Sequence, residues 1–146
     1  MAVDEELRTL YGRLIEGWND GDAEAMASAV APDGLVIGFD GSQMSGREAV
    51  ANELGRIFAD HETARYVTKV RATASLGEAA GVLHAVAGMV PPGGSGLVSE
   101  RNTIQTVVGR RDEGGWAAIL FQSTPARFDG RPELTDALTA ELSELL

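Results

Sequence analysis

The sequence predicts an α+β fold in which a strongly curved, mixed or antiparallel sheet wraps around three helices, with a further helix at the C-terminus. Segments with helical periodicity come first, at residues 7–18 and 50–58, and long strand-like segments follow between residues 65 and 125. Helices gathered ahead of meandering strands are typical of the α+β class. The last strand, residues 115–125, is apolar on both faces until Gln122, as expected in the centre of a sheet.

The helical predictions rest on apolar spacing and on capping patterns. The first helix carries an apolar stripe made of Leu7, Leu10, Tyr11, Leu14, Ile15 and Trp18, spaced as on one helical face. Asp22 is placed to cap a short second helix. Ser45 and Glu48 have the spacing of a capping box at the start of the third helix. Pro132 fits the first turn of the fourth, C-terminal helix.

The strand predictions rest on alternation and on turn residues. Residues 65–76 alternate between polar and apolar side chains, as a half-buried antiparallel strand does. A Gly-rich charged turn at residues 110–114 joins the last two strands into a hairpin. A short early strand is expected after a turn at residues 32–34. The predicted strands are residues 35–39, 65–76, 79–90, 103–108 and 115–125.

Length and composition narrow the class of protein. The 146 residues, 44% hydrophobic and 23% charged, fit a single domain spanning 1–146, with a body at 1–125 and the last helix at 131–146. The net charge of −10 argues against nucleic-acid binding. No apolar stretch is long enough to cross a bilayer, and the acidic N-terminus is unlike a signal peptide, so a cytoplasmic protein without a membrane partner is expected.

The sequence contains no pattern that calls for a cofactor or a metal ion. The chain has no cysteine, which excludes disulfides and thiolate chemistry. The glycines at 93–96 are followed by no helix that could hold a phosphate, so neither a dinucleotide fingerprint nor a P-loop is present. The two histidines, His61 and His84, lie in different elements and lack metal-ligand spacing. We therefore expect no cofactor and no metal.

A tightly curled sheet leaves a conical interior, and its open end is a natural ligand pocket. Four apolar or aromatic residues are candidates for its wall, although residues of this kind also form ordinary cores: Trp18, Phe39, Tyr66 and Met89. Three amides, Asn102, Gln105 and Gln122, could orient a ligand carbonyl or hydroxyl, or could only close the rim with a hydrogen-bond network. Because neighbouring strand residues face opposite ways, either Phe121 or Gln122 lines the cavity, and the sequence leaves this open.

Two ionisable residues are candidates for acid–base chemistry. His84 lies mid-strand among apolar neighbours, where it is either a neutral core histidine or a pocket residue poised as acid or base. Asp40 follows the short early strand. It either makes an Asp-Gly turn or acts as a base with a raised pKa.

The order of elements, closing on Gly-Trp-x-x-x-x-Phe-Gln at residues 115–122, resembles the NTF2-like (SnoaL-like) superfamily, which implies a cone-shaped domain. A narrower set of motifs resembles the SgcJ/EcaC-type proteins associated with enediyne antibiotic biosynthesis. Ser123 stands where that family commonly has Asn, and Asp129 where it commonly has His. The motifs are Gly-Met-Val-Pro-Pro-Gly at 88–93, Asn102, Gln-Thr at 105–106, Phe-Gln-Ser-Thr-Pro-Ala at 121–126 and Gly-Arg-Pro-Glu-Leu at 130–134.

The resemblance implies a protein that binds or processes a polyene or polyketide intermediate of enediyne biosynthesis. If it is an enzyme, isomerisation, cyclisation or dehydration without a cofactor would suit such a pocket, with His84 as the catalytic acid or base. The alternative is an accessory or dimeric assembly module that assists the polyketide synthase without making or breaking a bond. Because the convex sheet face of such cones commonly pairs, a homodimer is also expected.

Overall fold

The computed structural model describes residues 2–146 as four helices, six strands and one turn of 3₁₀ helix at Ser99–Arg101. The helices are α1 (Val3–Asn19), α2 (Ala23–Ser28), α3 (Arg47–Asp60) and α4 (Pro132–Ser143). The strands are β1 (Val30–Ile37), β2 (Gln43–Ser45), β3 (Arg65–Ser75), β4 (Ala80–Val90), β5 (Thr103–Asp112) and β6 (Gly115–Pro125). Within residues 2–146, no helix combines the length and the apolarity needed to cross a bilayer.

The six strands form one mixed sheet in the order β2-β1-β6-β5-β4-β3. Strand β1 runs parallel to β6, and every other neighbouring pair is antiparallel. This arrangement confirms the predicted α+β class with a mixed, curved sheet. It also confirms that the apolar segment at 115–125 is a central strand, because β6 has a neighbour on each side.

The early strand is longer than predicted and begins at Val30 rather than at residue 35. The expected turn at residues 32–34 is wrong, because these residues lie within β1, in an irregular part where the register with β6 shifts between Val30 and Leu35. The backbone N–H of Ala118 donates to the carbonyl of Ala29 at 2.8 Å, and Val30 is in register with Ala118. A Cβ at Gly34 would lie 2.5 Å from the carbonyl oxygen of Ala118, so glycine permits this close strand approach.

The predicted capping box at the start of α3 is also wrong. Gly46 is the N-cap, with φ of +94°, and no side chain caps the helix. Ser45 instead belongs to β2 and pairs with Leu35 of β1. Ser45 therefore pairs within the sheet instead of capping the helix, because tertiary contacts often override local sequence preference.

Helices α1 to α3 pack on one face of the sheet, here called the inner face, and build the main core. Fully buried leucines of α1, such as Leu7 and Leu14, meet Leu83 of β4 and Val107 of β5. Removing these apolar side chains from water supplies the main driving force for folding. The inner face is therefore where a cavity between helices and sheet has to lie.

Helix α4 packs on the opposite, outer face, near one end of the strands. Leu138 and Leu142 form a second, small core with Val67 and Val86 of the sheet. The Glu141 carboxylate binds Lys69 at 2.9 Å and Arg71 at 2.6 Å. The C-terminal helix thus docks on the body.

The rest of the outer face carries two rows of cross-strand neighbours that no helix covers within residues 2–146. The first, here called the apolar row, consists of the half-buried side chains Leu35, Leu120, Val108 and Val82. The second, here called the mixed row, consists of Ile37, Gln122, Thr106 and His84. The apolar row is one continuous apolar strip across four strands.

Candidate ligand-binding site

A cavity of about 720 Å³ lies between the inner face of the sheet and helices α1 to α3. This volume falls within the range of small-molecule sites in proteins. Most of its wall is apolar, and the apolar side chains come from helices, strands and loops together. They include Trp18, Met26, Phe39, Met44, Leu54, Met89 and Phe121.

The end of α1 fixes two aromatic walls of the cavity. The Trp18 indole N–H donates to the carbonyl of Ala64 at 2.8 Å, and its ring lies 5.4 Å from Phe58 and 5.9 Å from Tyr66, centroid to centroid. The Asn19 side chain donates to the carbonyl of Tyr66 at 3.0 Å and accepts from its N–H at 2.8 Å. Both rings are thereby held in place, and a preformed wall lowers the entropy cost of binding.

Three hydrogen-bond donors, here called the polar corner, interrupt the apolar wall: Arg101, Tyr66 and Ser123. Burial raises the pKa of Tyr66, against smaller opposing effects of a Ser123 hydrogen bond and the Arg101 charge. The phenol is therefore neutral at physiological pH and can donate a hydrogen bond. The polar corner can hold an oxygen-bearing group of a ligand whose remainder contacts the apolar wall.

A buried network behind the wall orients Ser123. The Tyr11 hydroxyl donates to Oε1 of Gln105 at 2.5 Å, and Nε2 of Gln105 donates to the Ser123 hydroxyl at 3.2 Å. Gln105 is 0% exposed. Burial raises the pKa of Tyr11, which keeps its hydroxyl protonated as a donor. The side chains of Tyr11, Gln105 and Ser123 are thus hydrogen-bonded to one another, as buried polar groups usually are.

Asp40 lines the mouth of the cavity but serves its own turn. Its carboxylate accepts from the backbone N–H of Ser42 at 2.9 Å. Hydrogen bonds from Ser42 lower the pKa of Asp40, whereas a base of the kind considered from the sequence needs a raised pKa. The structure agrees with the interpretation that Asp40 forms a turn. The interpretation of Asp40 as a general base is wrong, because the pKa of its carboxyl is lowered rather than raised.

Four of the predicted site residues line the cavity: Trp18, Phe39, Tyr66 and Met89. Gln105 faces inward but lies behind the wall, where it supports Ser123.

The other three predicted residues lie elsewhere, and their expected position is corrected. His84 is exposed and belongs to the mixed row of the outer face, opposite Thr106. Gln122 lies in the same row, which settles the open choice: Phe121 lines the cavity and Gln122 does not. Asn102 is 1% exposed, and its Nδ2 donates to the hydroxyl of Thr139 on α4 at 2.8 Å.

Sequence reasoning missed two members of the polar corner, Arg101 and Ser123. The register could have identified Ser123, because Ser123 is the residue directly opposite Gln105. Arg101 lies in the 3₁₀ turn just before β5, and no spacing rule marks a residue in such a turn. Asn102, which was predicted to line the cavity, directly follows Arg101, which does line it.

A curved mixed sheet closing over three helices around a cavity defines the NTF2-like, or cystatin-like, class of α+β domains. The model of the SnoaL-like domain matches residues 11–119, most of the chain. This protein therefore belongs to the SnoaL-like domain family. No curated protein sequence matches it.

Solved structures of low sequence identity share this fold. A domain of unknown function with a cystatin-like fold from Nostoc punctiforme PCC 73102 is 19% identical with a TM-score of 0.80, over 94% of this chain and 85% of the other. An NTF2-like protein from Novosphingobium aromaticivorans is 23% identical with a TM-score of 0.66, over 90% and 87%. A ketosteroid isomerase-like protein from Erwinia carotovora atroseptica is 10% identical with a TM-score of 0.65, over 84% and 95%.

Proposed function

We propose that this protein binds a small, largely apolar molecule in its cavity, and that this molecule is a polyene or polyketide intermediate of enediyne biosynthesis in the cytoplasm. The observation that carries the binding proposal is a cavity of about 720 Å³ with an apolar wall and one polar corner. The enediyne assignment is supported by the sequence motifs at 88–93, 121–126 and 130–134. Together they favour a long unsaturated chain bearing at least one oxygen.

The side chains of the cavity favour binding and orientation of the ligand over strong acid–base catalysis. Tyr66 and Ser123 are neutral donors, and Arg101 adds a positive charge. Donors of this kind hold and polarise a carbonyl oxygen. His84 is on the outer face, so an acid–base role for it would need a substrate outside the cavity. If the protein is an enzyme, we propose that it isomerises, cyclises or dehydrates a bound substrate without a cofactor.

Fluorescence titration with diphenylhexatriene, a neutral polyene, tests the binding proposal. Ala64→Trp places a large ring at the mouth of the cavity, and Ala74→Trp adds the same bulk on exposed β3. We expect the wild type and Ala74→Trp to bind, and Ala64→Trp to bind at least about tenfold more weakly. No binding by the wild type, or equal binding by both variants, would overturn the proposal.

Reconstitution with an enediyne polyketide synthase tests the biosynthetic role. The polyene products formed with and without this protein are separated and compared by chromatography. We expect the protein to change either the amount or the identity of the released product. An identical product profile at saturating protein would exclude the biosynthetic role while leaving the binding proposal intact.

A second candidate function is a dimeric assembly module that assists the synthase. The apolar row is the observation in its favour, since a continuous apolar strip on an uncovered sheet face is typical of an interaction site. A second copy of the same face would cover it isologously. Sedimentation equilibrium should then give the mass of two chains, and the mass of a single chain would count against this candidate.

A further inference from the structure

The polar corner contains the positive charge of Arg101, an exposed residue that forms no ion pair within residues 2–146. Arg101 is the only lysine or arginine that lines the cavity within residues 2–146, and none of the ion pairs formed there involves it. Within residues 2–146, ion pairs engage six of the twelve basic side chains, and of the other six only Arg101 lines the cavity. The cavity therefore offers a cation to whatever it binds.

We infer that the cavity recognises a ligand with a carboxylate at one end of an apolar chain, and that Arg101, with the hydroxyls of Tyr66 and Ser123, holds this carboxylate. The inference rests on the proposed binding function and adds the chemical class of the ligand. A guanidinium presents paired N–H groups that match the two oxygens of a carboxylate. The two hydroxyls supply donors for the lone pairs that remain.

Two carboxylates also line the mouth, and they oppose an anionic ligand. Asp40 is engaged by the backbone of its own turn, which offsets part of its charge. Glu62 is exposed, so solvent and salt screen it. Ser123 is buried, at 8% exposure of the residue, and its hydroxyl accepts a hydrogen bond from Gln105. A ligand carboxylate beside it would be partly desolvated, which strengthens its attraction to Arg101.

Matched probes separate charge recognition from simple apolar binding. We would titrate the protein with parinaric acid, a fluorescent tetraene fatty acid, and with its methyl ester. The wild type should bind the acid about five- to tenfold more tightly than the ester, the range expected for a partly exposed charged hydrogen bond. Arg101→Gln should abolish this preference by weakening acid binding, with a smaller effect on the ester, whose carbonyl the glutamine amide can still bind. Arg101→Lys should retain part of the preference, because it keeps the charge but loses the paired donors.

Arg111→Gln is the control, since it changes net charge equally at an exposed residue outside the cavity lining. It should leave the acid-to-ester ratio unchanged. Equal wild-type affinity for acid and ester, or an unchanged ratio in Arg101→Gln, would overturn the inference while leaving the binding function standing. If neither the acid, the ester nor diphenylhexatriene binds the wild type, the proposed function itself fails. A circular dichroism spectrum like that of the wild type would show that the Arg101→Gln variant is folded.

Discussion

Replacement of Gln105 by leucine tests whether the buried network behind the cavity stabilises the fold. The variant removes the acceptor of the Tyr11 hydroxyl and one donor to Ser123. Both Tyr11 and Gln105 are almost completely inaccessible, at 3% and 0% exposure. Leucine is of similar size, so the main effect should come from polar groups left without partners, and only a smaller part from packing.

The magnitude follows from which groups lose a partner. A buried donor left without an acceptor costs about 1–3 kcal/mol. Thr68 lies close enough to Tyr11 to lower the pKa of its hydroxyl against the larger effect of burial, and the Thr68 hydroxyl can act as the acceptor in the variant. We therefore expect Gln105→Leu to lower the free energy of unfolding by about 1–2 kcal/mol, within the usual range for loss of a buried bond. Tyr11→Phe should cost a similar amount, because it leaves the Gln105 oxygen unpaired.

Urea denaturation monitored by tryptophan fluorescence measures these changes. The double variant should cost clearly less than the sum of the two single variants, with a coupling energy of about 1 kcal/mol or more. Gln43→Leu, at an exposed position of β2, is the control and should change stability by less than about 0.5 kcal/mol. Strictly additive effects, or a Gln105→Leu protein as stable as the wild type, would refute the reasoning.

Three further predictions concern the docked helix, the outer face and a helix contact. The two cations bound to Glu141 lower its pKa from 4.5 to about 2. Its contribution to α4 docking is therefore fully present above pH 4.5 and is lost as the pH falls through about 2. Glu141→Gln should speed amide exchange in α4 at neutral pH, and the exchange rate of the wild type should approach that of the variant in acid. Leu120→Arg puts a charge in the middle of the apolar row and should reduce the sedimentation mass from two chains to one without changing ligand affinity. Gly17→Ala should destabilise by about 1–3 kcal/mol in urea denaturation, because a Cβ there would lie 2.7 Å from the backbone of α2. Gly12→Ala in the same helix meets nothing within 4 Å and should stabilise by up to about 1 kcal/mol.

Each of these has an outcome that contradicts it. Equal exchange rates in Glu141→Gln and the wild type at neutral pH would show that the ion pairs do not hold α4. A Leu120→Arg protein that still sediments as two chains would place any dimer contact elsewhere. If Gly17→Ala and Gly12→Ala shift stability in the same direction, the close approach of α1 and α2 does not constrain position 17.

The order and type of the main elements could be predicted because their periodicities are strong. The stripe from Leu7 to Trp18 reflects a single face buried against the main core. Along β3 the alternation is less regular, because the register shifts between Val70 and Ala72 and because Val67 packs in the small core with α4. The boundaries around β1 could not be predicted in the same way. Its first residues are held by pairing with β6, a contact between segments far apart in the sequence.

The side of the sheet on which His84 lies was not evident from the sequence because β4 carries apolar residues on both faces. Leu83 and Ala85 are buried by the inner core, and Val86 is buried beneath α4, so apolar neighbours did not indicate which way the histidine points. The alternation of side chains along a strand could have indicated which face of the sheet His84 lies on. His84 and Met89 are an odd number of residues apart, so without a bulge between them they face opposite sides. Only one of the two could line the cavity.

The position of β6 between β1 and β5 has a consequence for synthesis on the ribosome. The residues that complete the centre of the sheet, Gly115–Pro125, are translated long after β1, so β1 and the helices beside it must wait for their partner. Contacts of such large sequence separation slow folding, and an unpaired strand edge can aggregate in the meantime. A nascent chain interrupted before Gly115 would have neither a finished sheet nor Phe121 and Ser123 in the ligand site.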